Sequence, residues 1–165
     1  MITKYTAILI SFAFFFVLLG CSVSQEASAY TSEEIDFYQQ AINHINDIHS
    51  HLRNCDTISK NAKPPYNDPV LISSLQDELD QAVQEVQAIT DLNCPSSRFK
   101  PLCGDFVSMR DAIIDLRKDM VQYFTSGFGA ADRQKVSNDM LVMTTASQKI
   151  ADDVTQLEEQ YGKIK

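Results

Sequence analysis

The chain has 165 residues, a net charge of −8 and no tryptophan. That acidic balance argues against nucleic acid or an anionic lipid surface as a partner, since both attract basic faces. The length suits one domain able to bury its own core, and with only five glycines and five prolines long stretches run uninterrupted.

The first element is apolar. After Met1 and Lys4, residues 7–19 read AILISFAFFFVLL, broken only by Ser11. As a helix this run would span about 20 Å, short of the roughly 30 Å hydrocarbon core of a bilayer. A basic start, a short apolar middle and a small-residue end describe a secretory signal. Two cleavage sites compete. Ala27-Ser28-Ala29 has the A-x-A form of ordinary signal cleavage and would leave Tyr30 first. Leu18-Leu19-Gly20-Cys21 lies directly at the edge of the apolar run, whereas Ala29 lies ten residues beyond it. The stretch LLGC resembles the lipobox of bacterial lipoproteins, and its position favours it. The resemblance implies a signal over residues 1–20, a lipid on the Cys21 thiol and a tether over residues 21–30. It also implies that the rest of the chain, residues 31–165, lies outside the cytoplasm. Ser22 after the cysteine implies, by the same family's sorting habit, the periplasmic face of the outer membrane in a diderm host. Two or more acyl chains would hold such a protein stably, because one chain binds only marginally. Removing residues 1–20 takes Lys4 and no acid, so the net charge of −8 becomes −9.

Four segments follow with one rhythm. Thr31 and Glu34 form the pattern of a capping box, with Tyr30 and Ile35 placed for a hydrophobic staple. Phe37, Ala41, Ile45, Ile48, Leu52 and Cys55 then keep helical spacing to about Ser59. KNAKPPYNDP interrupts, and Asp68-Pro69 supplies an N-cap followed by proline at the first helical position. The second segment carries Ile72, Leu75, Leu79, Ala82, Val86 and Ile89. The third carries Phe106, Met109, Ile113, Leu116, Met120 and Tyr123. The fourth carries Val136, Met140, Met143, Ser147, Ile150, Val154, Leu157 and Tyr161. Asp80, Gln84, Asp111, Asp115, Lys149 and Asp153 fall on the opposite faces.

One stripe per segment cannot be buried by a helix alone. Four stripes closing on each other predict an all-α fold, an antiparallel four-helix up-down bundle, with TSGFGAAD joining the last two helices. A pair of helical hairpins is the fallback, and no strand alternation is visible.

Cys94 and Cys103 bracket NCPSSRFKPLCG between the second and third helices. In an oxidising compartment they are expected to pair, leaving Cys55 a free core thiol. In an antiparallel bundle Cys55 falls about 30 Å from Cys94, beyond disulfide reach.

The three histidines lie in HINDIHSH. His44, Asp47 and His51 share one helix edge, and imidazole with carboxylate suits a transition metal. Bundle metal sites need ligands converging from facing helices, and the carboxylate bundles use Glu-x-x-His, whereas here an Asp follows the histidine. A partly exposed polar edge is therefore the preferred reading of the three. There is no C-x-x-C-H for haem, no G-x-S-x-G, no H-E-x-x-H and no phosphate-cradling loop. Asp111 and Asp115 face away from the predicted core, where nothing would desolvate them for acid–base work. Phe128, between Gly127 and Gly129, either caps the bundle end or projects toward a partner. The expectation is a non-enzymatic, lipid-tethered helical bundle that binds another envelope or surface protein. It needs no cofactor beyond the lipid at Cys21; the alternative is a carrier of a metal or small ligand at His44, Asp47 and His51.

Overall fold

The computed structural model describes residues 30–62, 68–126 and 129–164. The signal, Cys21, nearly all of the tether and Phe128 lie outside the described residues. The fold is all-α, with four long helices: α1 (Ser32–Asn61), α2 (Pro69–Asp91), α3 (Lys100–Thr125) and α4 (Ala130–Tyr161). A single 3-10 turn, Ser97–Phe99, leads directly into α3. Among the described residues there is no strand and no helix long and apolar enough to cross a membrane.

The helix starts follow local chemistry. Thr31 Oγ1 accepts the Glu34 N–H at 3.3 Å, and the Glu34 carboxylate accepts the Thr31 N–H at 2.9 Å, so the expected capping box forms. Asp68 accepts the Val70 N–H at 2.9 Å and Pro69 opens α2, where its missing N–H costs nothing. Pro101 is tolerated for the same reason in the first turn of α3. Consequently α3 begins before Cys103, which lies inside the helix rather than at the end of a long loop. Beyond α4, Gly162 takes φ 86°, a left-handed conformation that glycine adopts without a side-chain clash.

α1 packs along α2, α2 along α3 and α3 along α4. One apolar cluster draws on all four helices, including Phe37, Ile48, Leu79, Val86, Phe106, Ile113, Met143 and Ile150. The predicted stripes of α1 and α2 are the buried ones, apart from a partly buried Ile72. In α3 the stripe ends on Phe124, four residues after Met120, while Tyr123 is only partly buried. The same helix buries Leu102 and Ala112 as well, because it packs against neighbours on two sides. In α4, Met140 and Val154 are partly buried and Tyr161 is more than a third exposed, so its stripe is the thinnest. Asp153 does not sit on the solvent face: it is partly buried beside Asp105 of α3.

Cys94 and Cys103 form the expected disulfide, with Cα atoms 6.2 Å apart. It closes a short covalent loop over the start of α3. Replacing both cysteines by serine is expected to lower stability by about 2.7 kcal/mol on the chain-entropy model, read as a shift in the urea midpoint.

Candidate functional site

Two polar arrangements stand out from the apolar packing. The first ties one end of the molecule together. Glu34 is only 2 % exposed, yet it carries a charge. Its carboxylate accepts bonds from the Thr31 N–H, from Ser96 Oγ at 2.7 Å and from Arg98 Nε at 2.7 Å, with Arg98 Nη2 completing a two-pronged pair. The Arg98 guanidinium in turn lies over the rings of Tyr30 and Tyr161, 4.7 and 4.5 Å from their centroids. Tyr30 donates its hydroxyl to the Leu157 carbonyl at 2.6 Å. This cluster therefore joins the entry to α1, the 3-10 turn before α3 and the last turn of α4. The Arg98 hydrogen bonds, helped by Ser96 and the Thr31 amide, outweigh burial and hold the Glu34 carboxyl well down, at about 2.

A cavity of about 200 Å³ opens next to this cluster, walled by Ser97, Arg98, Leu102, Asp153, Gln156 and Tyr161. Its lining mixes amide, carboxyl and ring groups. Arg98 borders it with its guanidinium engaged by Glu34.

The second arrangement is the α1–α2 seam. His44 Nδ1 donates to Glu85 Oε2 at 2.7 Å, and His51 Nδ1 donates to Glu78 Oε2 at 2.8 Å. Asn54 adds bonds to both oxygens of Glu78, at 3.1 and 3.2 Å. Both helices contribute at a seven-residue spacing, so the two histidines fall two turns apart with a glutamate each. His44 and His51 both face α2, but the structure sends the two imidazoles to separate carboxylates, and Asp47 is exposed. Among the described residues no group of three His, Cys, Asp or Glu side chains is close enough to hold a metal ion. Burial, then the Arg53 charge, lowers the pKa of His49.

Cys55 is free and buried, 4.0 Å from the Leu75 carbonyl. Burial first, then the Glu78 charge, pushes its thiol up to about 12. Since the thiolate is the reactive species, Cys55 is expected to resist iodoacetamide at about pH 8 in the folded chain and to react once guanidinium unfolds it. Labelling at Cys55 in the native protein, read by peptide mass, would show the α1–α2 seam to be open.

Sequence reasoning found the capping role of Glu34, the disulfide and the free Cys55. Arg98 was not singled out, because no local pattern links residues 34 and 98; a basic residue between the two disulfide cysteines, next to Phe99, was the available hint. Comparison with known protein families, curated proteins and solved structures yields no match.

Proposed function

We propose that this chain is a non-enzymatic envelope lipoprotein, held to a membrane by a lipid on Cys21, whose helical domain binds another envelope or surface protein. The observation that carries the reading is the LLGC stretch at the edge of the apolar run, followed within a few residues by Tyr30 and the start of the folded domain. Cross-helix pairs support an up-down antiparallel order. His44 and His51 of α1 meet Glu85 and Glu78 of α2, and Asp80 of α2 meets Arg117 of α3, while the disulfide joins the end of α2 to the start of α3. Asp105 and Asp119 of α3 lie by Asp153 and Asp139 of α4. In each pair of helices, later residues of one meet earlier residues of the next.

That order gathers Tyr30, the disulfide and Tyr161 at the anchored end. Ala62, Asp68, Ser126 and Gly129 then fall at the other end. In a diderm host Ser22 supports the periplasmic face of the outer membrane. The acidic surface suits a soluble domain held near a membrane without lying on anionic lipid.

Membrane fractionation of wild type and Cys21→Ser tests the anchor. The wild-type chain is expected in the membrane fraction and the variant in the soluble fraction; a variant that stays firmly attached or acylated overturns the assignment. Metal analysis of the Cys21→Ser chain, purified without a histidine tag, separates the carrier reading. Near-stoichiometric metal that disappears in His44→Ala/His51→Ala would establish carriage at His44, Asp47 and His51 in place of partner binding.

A further inference from the structure

The bridge between Cys94 and Cys103 closes the base of the loop that ties one end of the molecule together. Ser96 and Arg98 of that loop hold the buried Glu34 carboxylate, and Phe99 is completely buried against Phe37 and Tyr30. Through the Arg98 guanidinium the same loop reaches the ring of Tyr161 at the end of α4. The two sulfurs differ in setting. Cys94 is exposed, whereas Cys103 is partly buried against the core in the first turn of α3. Thiol–disulfide exchange depends on access to the attacked sulfur and on how readily the other leaves as a thiolate. Cys94 offers the access, and the N-terminal turn of α3 favours a thiolate on Cys103.

We infer that this bridge is a redox-operated catch: a dithiol that reduces it loosens the loop from Glu34 and frees the start of α1 and the end of α4, while the rest of the bundle stays folded. The electrons balance over two exchanges. A thiolate of the dithiol attacks Cys94 Sγ, the S–S bond breaks, and Cys103 leaves with the electron pair of that bond and takes up a proton. The second thiol then displaces Cys94 from the mixed disulfide, so the reagent ends as a cyclic disulfide and the protein holds two thiols. The cut acts on the opened form of the loop. With the bridge in place, the loop gains little freedom when Arg98 lets go of Glu34. Without it the detached loop explores many more conformations, and opening costs less. The middle of the core does not rest on the bridge, because Leu75, Leu79, Ile113 and Leu116 are buried several turns away along α2 and α3. The inference concerns the folded domain alone and is independent of the lipid anchor.

The test exposes the full chain in detergent, without denaturant, to dithiothreitol at about pH 8, with the bridge read by mass and the backbone by hydrogen exchange. The bridge is expected to be reduced in the folded chain. Amides over residues 30–36 and 157–162 are then expected to exchange roughly tenfold faster, the scale of one charge-assisted hydrogen bond made easier to open. Those around Leu79 and Ile113 are expected to keep their rates. Arg98→Ala, still oxidised, is expected to show the faster exchange over residues 30–36 already and to gain little from the reagent. Cys94→Ser/Cys103→Ser is expected not to respond to it. A bridge reduced only once urea unfolds the chain, reduction that leaves residues 30–36 unchanged, or reduction that speeds exchange equally around Leu79 and Ile113 would overturn the inference.

Discussion

Glu34→Ala is expected to be among the most damaging single changes in the chain, lowering stability by about 3–5 kcal/mol. The reason is what it leaves behind. Arg98 would keep its charge between the rings of Tyr30 and Tyr161 with no carboxylate to neutralise it. The Thr31 amide and Ser96 hydroxyl would lose their acceptor together. Removing both charges at once should hurt less: Glu34→Leu/Arg98→Met is expected to be more stable than Glu34→Ala, because an apolar pair of similar volume avoids a stranded ion. Urea midpoints of the three variants check this ordering. A double variant no better than the single one would mean that the cost lies in the helix cap, worth about 1 kcal/mol, plus lost packing rather than in the charge.

The same carboxylate sets an acid limit. Its pKa falls from 4.5 to about 2 on folding, so its contribution, about 3 kcal/mol, is complete above 4.5 and is lost as pH falls toward 2. The Asp139 and Asp153 carboxyls act in the opposite sense and at higher pH. Stability is therefore expected to rise on mild acidification and collapse on strong acidification, and Glu34→Gln should remove the second arm while sparing the first.

Phe99→Ala is the second large effect, also about 3–5 kcal/mol. Phe99 is completely buried and its ring meets Phe37 edge-on at 5.8 Å and Tyr30 at 6.1 Å. Phe37 continues the contact to Phe106, 6.5 Å away. Truncation leaves a void where α1, the 3-10 turn and α3 meet, and rigid neighbours cannot close it. A lowered urea midpoint with an unchanged slope is the expected signature. Leu141→Ala, at a position 67 % exposed, should change stability by less than about 0.5 kcal/mol and serves as the reference.

These two residues also mark where the sequence was legible. Periodic signals are local, and they located all four helices, their stripes and two of their starts, since Thr31 with Glu34 and Asp68 with Pro69 act within a single turn. The disulfide was legible because the loop between its cysteines is too short to carry them far apart. Phe99 and Arg98 sit in a segment with cysteines, serines and prolines that reads as a loop, and nothing local shows that its ring and guanidinium are buried. Their partners, residues 30, 34 and 161, are distant in the chain. His44 and His51 were placed correctly on one edge, but which carboxylates face them depends on the register of α2, which spacing in α1 does not contain. Asp153 failed for a related reason: a position opposite its own helix's stripe can still face a neighbouring helix. Cys21 and Phe128 rest on sequence alone.

The most direct test of the account is the mass of the mature N-terminal peptide from chain recovered in the membrane fraction. Cys21 is expected to be the first residue and to carry a lipid on its thiol, with all of residues 1–20 removed. A mature chain beginning at Tyr30, or one in which Cys21 is present without lipid, would contradict it.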